Sequence, residues 1–388
     1  MTSCKKKVLI LGSTGSIGIN TLKVLSRFPD RFEVIGLTAY HNWRLLAEQA
    51  KLFRPKYVAI GQQHISDLKL VLSSTRIQIS AVERDLALLT VLPDVDIVVV
   101  AMSGRLALEP FLSAAQAGKH IAPANKEALV IAGEMIMAAA GKSGARIIPV
   151  DSEQSAIFQC LEGNHVKELE KIYLTASGGA LYNTPSQNFD TLTIADILKH
   201  PRWKMGKKIT VDSATLMNKG FEVLEAQRLF AVDVDEIDVI IHPQAIVHSM
   251  VSFKDGSVLA QLGMTDMRLP IQYALTYPER WSSGLPALDF AKLGQLTFAK
   301  PDLKKFPCLG LALQVARVGG TLPTVLNAAD EETVQAFLSG QIRFSQIFKV
   351  VDKVVQTHKV QKRLTLKMVH DVDVQTRLKT KALISKIK

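Results

Sequence analysis

Three glycines set the first constraint on this chain. Gly12-Ser13-Thr14-Gly15-Ser16-Ile17-Gly18 follows the short apolar run 8–11 and leads into helical spacing over 19–28. Strand, glycine turn and helix in that order make a phosphate-binding unit. Glycine lets the backbone approach an anion, and the helix start offers free N–H groups at its positive dipole end. The spacing is Gly-x-x-Gly-x-x-Gly instead of the usual Gly-x-Gly-x-x-Gly, so the strand–turn–helix context carries the reading.

The residues around this loop extend the pattern. Runs 8–11, 32–37, 57–60, 77–79, 96–100, 120–122 and 147–150 read as strands, with helical spacing between them, as in 43–53 and 106–117. That rhythm predicts an α/β fold whose N-terminal part is a Rossmann-like, doubly wound parallel sheet over 1–150. Past it the character changes. Strands are expected at 171–176, 208–211 and 239–242, and a hairpin pairs 247–254 with 257–262 around Asp255-Gly256. The region 151–276 is therefore read as a central α+β catalytic domain. Pro278, Pro286, Pro301 and Pro307 mark a linker over 277–307, and 308–388 reads as a C-terminal helical domain, with helices over 325–338 and 345–357.

Composition bounds the class. Apolar residues make up 47% of the chain, which argues against disorder. Cys4, Cys160 and Cys308 are few and odd in number, which fits a reducing compartment better than a disulfide framework. The start, 1–7, runs straight into a strand with no leader, and no apolar run reaches bilayer length, so a cytoplasmic protein without a transit peptide is expected. The net charge of +11 calls for anionic ligands or a solvated basic face. Much of the excess lies in 353–388, where ten Lys and Arg accompany two acids.

The candidate chemistry is spread over four places. The second strand ends Leu37-Thr38-Ala39-Tyr40-His41-Asn42, without the carboxylate that would bind a free ribose 2′-hydroxyl, which favours NADP(H) over NAD(H). Asp151 and Glu153 follow the strand 147–150, and in an extended chain they face the same side. Such hard oxygen donors suit Mg²⁺ or Mn²⁺. Asn218 and Glu222 share a helical face, and Glu225 shares it too, so spacing does not choose between the two glutamates. Ser177-Gly178-Gly179 and Ser213 follow strands, where hydroxyls and free N–H groups suit a phosphate. His200 and Trp203, among Lys204, Gly206, Lys207 and Lys208, read as a basic lid over an anion.

Together these segments resemble the 1-deoxy-D-xylulose 5-phosphate reductoisomerase family of the non-mevalonate isoprenoid pathway. The resemblance rests on Gly12–Gly18, Ala124-Asn125-Lys126-Glu127, Pro149-Val150-Asp151-Ser152-Glu153, Ser177-Gly178-Gly179, the stretch 200–225 with Met217-Asn218-Lys219-Gly220, and His242-Pro243-Gln244 with His248-Ser249-Met250. It implies that Asp151, Glu153 and Glu222 bind the metal, which selects Glu222 over Glu225, and that this metal acts as a Lewis acid on substrate oxygens. It implies substrate contacts from Lys126, Ser152, Glu153, Ser177, His200, Trp203, Ser213, Asn218, Lys219 and Glu222. NADPH contacts are implied for Thr14, Gly15, Ser16, Ile17, Asn42, Asn125, Glu127 and Gly206; Tyr40-His41 departs from the smaller residue and basic one usual in the family, and His41 is the residue that can serve the 2′-phosphate. Lys219, Glu222, Asp151 and Glu153 are the implied catalytic groups, 197–207 the implied flap, and a homodimer through the central domain the implied assembly. The implied reaction rearranges a ketose phosphate, a small phosphorylated sugar, and reduces the branched aldehyde to 2-C-methyl-D-erythritol 4-phosphate.

Two other classes compete. A simple NADP dehydrogenase of a small semialdehyde would share the glycine loop but has no need of three converging acids and a basic lid. A nucleic-acid-binding protein would need aromatic residues among its charges, and 353–388 contains no Phe, Tyr or Trp. No nucleic-acid or membrane partner is therefore expected.

Overall fold

Short apolar runs in the first part of the chain become parallel strands, and the amphipathic stretches between them become helices. The computed structural model describes residues 5–203 and 205–387. The expectations that fall on 1–4 with Cys4, on Lys204 and on Lys388 lie outside the described residues. The chain divides into two units. One holds the chain up to Ala128 together with Glu134–Ser155 and Asp266–Leu285, and the other holds Leu129–Gly133, Ala156–Thr265 and the chain from Pro286 onward.

The first unit is built on seven strands: β1 (Lys6–Leu11), β2 (Phe32–Ala39), β3 (Tyr57–Ile60), β4 (Gln78–Ala81), β5 (Ile97–Val100), β6 (His120–Pro123) and β7 (Arg146–Ile147). Their order is β4-β3-β2-β1-β5-β6-β7 and every pairing is parallel. Val8, Ile10, Leu11, Val98, Val99 and Val100 are wholly buried, as central strands covered on both faces require. The strand order reverses between β1 and β5. At such a point the connections leave toward opposite sides and open a crevice at the carboxyl ends of the strands.

The second unit has a four-stranded sheet, formed by β8 (Leu169–Ala176), β9 (Ile237–Ile241), β10 (Val247–Phe253) and β11 (Val258–Leu262) in the order β11-β10-β8-β9. β10 and β11 form the expected antiparallel hairpin, with Gly256 at φ 86° in its turn. Four long helices follow: Pro307–Val318, Leu322–Leu338, Gln346–Gln356 and Leu366–Ile384. The helix Met217–Phe230 lies close against Pro307–Val318 because Gly220 lacks a side chain. A Cβ there would stand 2.3 Å from the Ala312 Cβ. Arg377 in the last helix reaches Glu331, Glu332 and Asp373, so part of the C-terminal positive charge is bound internally.

Two local expectations are corrected. The β-branched run at 208–211 does not form a strand but lies in the helix Lys207–Thr215. An ion pair from Lys208 to Asp212, one turn on, and another to Asp330 outweigh its β propensity. The strand expected at 147–150 ends at Ile147, and Ser152 opens the helix Ser152–Leu161. Glu153 therefore sits in a first helical turn, not two residues along an extended chain from Asp151. Among the described residues no helix is long and apolar enough to cross a membrane.

Candidate active site

In the first unit the expected site residues gather at the carboxyl ends of the strands. Gly12 leaves β1 at φ 89°, a conformation that glycine alone adopts readily, and a Cβ there would meet the Ala101 carbonyl oxygen at 2.8 Å. Gly18 lies equally tight on the loop, with the Gly12 oxygen 2.4 Å from where its Cβ would be. Gly15 differs. Its φ is −80° and its nearest neighbour would stand 3.5 Å away, so internal packing does not require a glycine there. The helix Ser16–Leu25 begins at Gly15 with no side-chain cap and no acid in its first turn. Its N–H groups are the kind that a pyrophosphate satisfies.

The loop is held from behind. Gly12 N–H donates to Thr38 Oγ1 at 3.0 Å, and Ser13 Oγ donates to Gln49 Oε1 at 2.7 Å. The Gln49 amide returns a bond to the Ser13 carbonyl at 2.9 Å. The motif reading missed Gln49. Its only signal is a polar residue on the same face as Leu46 and Ala50 of the amphipathic helix Trp43–Phe53. Asn42 caps that helix, accepting from Leu45 N–H at 3.2 Å, and His41 beside it is exposed. The Tyr40 hydroxyl hydrogen-bonds to Glu83, which raises its pKa.

After β6, Asn125 Nδ2 donates to the carbonyls of Met102 and Gly104 at 2.9 and 3.1 Å and to Glu127 Oε2 at 3.0 Å. Its Oδ1 caps the next helix through Ala128 N–H. Lys126 follows, almost buried, with its ammonium 2.6 Å from Asp151 Oδ2. Ser152 Oγ donates to Glu153 Oε2 at 2.6 Å. Asn125, Lys126, Asp151, Ser152 and Glu153 thus come from neighbouring strand ends.

The second unit brings together the remaining group. Ser177 and Ser213 both face His200, whose Nε2 lies 3.2 and 3.1 Å from their hydroxyl oxygens. The backbone N–H groups of Arg202 and Trp203 point at His200 Nδ1 from 3.2 and 2.9 Å. Two donors on Nδ1 make it an acceptor, so in the neutral ring Nε2 carries the proton and donates toward the serines. Gly179 permits this grouping, since a Cβ there would stand 2.4 Å from the Ser213 carbonyl oxygen.

Asn218, Lys219 and Glu222 lie on the first two turns of Met217–Phe230. Asn218 Nδ2 donates to Glu222 Oε1 at 2.5 Å, and Lys219 Nζ pairs with Glu222 Oε2. Lys219 and Glu222 are buried, and so is Glu225. A carboxylate with a lysine and an amide upon it, withdrawn from water, has its charge already compensated. Trp203 is half-buried, and Gly206 is exposed with no atom within 4 Å of where a Cβ would stand.

The parallel sheet, its reversal point and the uncapped glycine loop define a dinucleotide-binding α/β protein. Comparison with known proteins gives the family. Three family models match consecutive parts of the chain: 1-deoxy-D-xylulose 5-phosphate reductoisomerase at residues 8–133, its C-terminal domain at 147–230, and the DXP reductoisomerase C-terminal domain at 262–379. A 1-deoxy-D-xylulose 5-phosphate reductoisomerase from Chloroherpeton thalassium is 49% identical over 96% of both chains, and one from Moorella thermoacetica is 51% identical over 91% of both. Among solved structures, the Zymomonas mobilis reductoisomerase in complex with NADPH matches with a TM-score of 0.93 and 38% identity, covering 99% of this chain and 100% of that one. A DOX-P reductoisomerase in complex with NADPH, fosmidomycin and magnesium matches at 0.92 and 37%, covering 98% of each. This chain belongs to the 1-deoxy-D-xylulose 5-phosphate reductoisomerase family.

Proposed function

We propose that the protein converts 1-deoxy-D-xylulose 5-phosphate to 2-C-methyl-D-erythritol 4-phosphate, using NADPH and a divalent cation. The observation that carries this reading is the near-complete match to enzymes of that name. Relatives solved with NADPH and with magnesium support the cofactors.

The residues fit both groups. The Gly12–Gly18 loop would hold NADPH, with Gly15 leaving room that packing does not need and Thr14, Ser16 and Ile17 offering the helix start. Asn42 and His41 receive its adenosine end; Asn125, Glu127 and Gly206 complete the contacts. We assign the divalent cation to the carboxylates of Asp151, Glu153 and Glu222. Their donors are hard oxygens, as Mg²⁺ and Mn²⁺ prefer. When bound, NADPH supplies hydride and the cation supplies Lewis acidity.

The chain's own groups do the rest. Ser177, Ser213 and the Nε2–H of His200 hold the substrate phosphate. Asn218 and Lys219 bind its hydroxyls, with Lys219 offering positive charge where oxygen becomes anionic during the skeletal rearrangement. Lys126 and Ser152 orient the acids they touch. Trp203, on a flap over 197–207, excludes water. We assign these roles within a catalytic domain over 151–276, between an NADPH domain over 1–150 and, after a linker over 277–307, a helical domain over 308–388. Exposed Val258 and Leu259 on β11, an edge strand, support a homodimer through this sheet. Bacterial relatives support a cytoplasmic enzyme.

The test is NADPH oxidation with 1-deoxy-D-xylulose 5-phosphate, with and without chelator, and analysis of the carbon skeleton. A branched product, loss of turnover on chelation, and a Glu222→Gln variant that binds NADPH but does not turn over are expected. An unbranched product points to a simple dehydrogenase.

A further inference from the structure

Lys207 and Lys208 open the helix Lys207–Thr215, at the dipole end that disfavours cations. No acid lies in that first turn, and Gly206 provides no side-chain cap. The segment breaks two rules of helix initiation, and the compensation comes from elsewhere in the second unit. Lys208 Nζ lies 2.6 Å from Asp212 Oδ2 and 2.9 Å from Asp330 Oδ2. Asp330 sits mid-way along Leu322–Leu338 and is wholly buried. Burial holds its carboxyl above the ordinary range, although Lys208 pulls the other way. The same ammonium rests 4.6 Å from the Phe221 ring centroid.

Burying two carboxylates around one lysine is an expensive way to fasten a helix, since well-packed apolar residues do it at least as well. A charged cross-link adds direction: it pins one turn at one place. Two residues earlier the Gly206 carbonyl is held by Thr210, through its N–H at 3.1 Å and its Oγ1 at 2.9 Å, but among the described residues no charged cross-link reaches it. Gly206 has φ −62° and ψ 157°, open to any residue, and no neighbour that would exclude a side chain. Neither backbone nor packing asks for glycine there; the NADPH contact assigned to it and a joint before the pinned helix both do. Before that joint lie Trp203 and Arg202, whose N–H groups meet His200 Nδ1, while Arg202 Nε donates to the Pro243 carbonyl at 2.9 Å. After it, the pinned helix carries Ser213 to His200.

We propose that Lys208, through Asp212 and Asp330, is the positioning residue of the flap. It fixes the hinge at Gly206 and so sets where Trp203 closes and where Ser213 meets the phosphorylated substrate. This rests on the reading of 197–207 as a flap. Lys208 acts through the helix it pins, with its ammonium against Asp212, Asp330 and the Phe221 ring.

Lys208→Met alone leaves two buried carboxylates opposed and lowers stability by itself. The double variant Lys208→Met/Asp330→Asn removes the opposed charge as well, and the new amide can donate to Asp212, which returns Tm to the parental value. Both are placed in a Trp43→Phe/Trp281→Phe background, so that Trp203 is the one emitter among the three tryptophans. With magnesium and NADP⁺ present, no hydride can be transferred, and 1-deoxy-D-xylulose 5-phosphate is titrated while Trp203 emission is read.

The parent gives a saturable change. The double variant, at parental Tm, needs about tenfold more substrate to reach it, and KM in turnover rises by the same factor while kcat falls by less than about threefold. A parental KM and a parental Trp203 response at parental Tm overturn the proposal, because Lys208 then only holds the helix. Trp203 emission unmoved by substrate in the parent, with turnover intact, overturns the flap reading and the proposal with it.

Discussion

The ammonium of Lys126 lies 2.6 Å from the Asp151 carboxylate, with both side chains largely withdrawn from water. A lysine in that place supplies the positive charge that the acid needs, and a divalent cation bound by Asp151 must compete with it. Removing the lysine strengthens the local negative potential. Lys126→Met is therefore expected to bind Mn²⁺ about tenfold more tightly, read by electron paramagnetic resonance, while kcat/KM for the ketose phosphate falls. Unchanged or weaker Mn²⁺ binding would show that Lys126 and the cation do not share this acid.

The glycine loop separates into structural and ligand-facing positions. Gly12 combines a positive φ with a backbone oxygen 2.8 Å from any Cβ, whereas Gly15 has neither constraint. Gly12→Ala should lower stability by about 1–3 kcal/mol in urea unfolding. Gly15→Ala should leave the unfolding midpoint unchanged and raise KM for NADPH instead. Equal losses of stability in the two variants would remove the distinction.

His120 at the start of β6 carries a pH signature. Burial, then the positive charge of Lys6, push its pKa from the ordinary 6.5 down to about 4; Arg146 adds to this, and a hydrogen bond to the Ala274 backbone opposes it. The unfolded chain therefore takes up a proton first as pH falls. The neutral ring's contribution is complete above about pH 6.5 and is lost between there and about pH 4, worth roughly 3 kcal/mol at most. His120→Gln should flatten the pH dependence of the urea midpoint across that window. A slope equal to the parent's would place the titrating group elsewhere.

Local patterning made much of the fold legible before any coordinates. The β-rich runs of the first unit, the Asp255-Gly256 hairpin and the C-terminal helices depend on short-range periodicity and turn chemistry. The two failures have different causes, one distant and one local. Residues 208–211 look like a strand because Ile209, Thr210 and Val211 favour one; the partner that makes them helical, Asp330, is 122 positions beyond Lys208. The acids after β7 look extended until Ser155 N–H bonds to the Asp151 carbonyl at 2.8 Å and turns the chain into a helix. The proposed site residues stand out in the sequence as motif members. The bonds that orient them, such as Gln49 behind Ser13 or Ser177 and Ser213 on His200 Nε2, join positions that sequence spacing alone does not relate.

The proposed chemistry requires that Asp151, Glu153 and Glu222 hold one catalytic cation. Anomalous diffraction at the manganese edge, from crystals grown with Mn²⁺, tests it most directly. A single strong peak is expected within coordination distance of a carboxylate oxygen from each of the three residues. A peak bound elsewhere, or one from which Glu222 is absent, would contradict it.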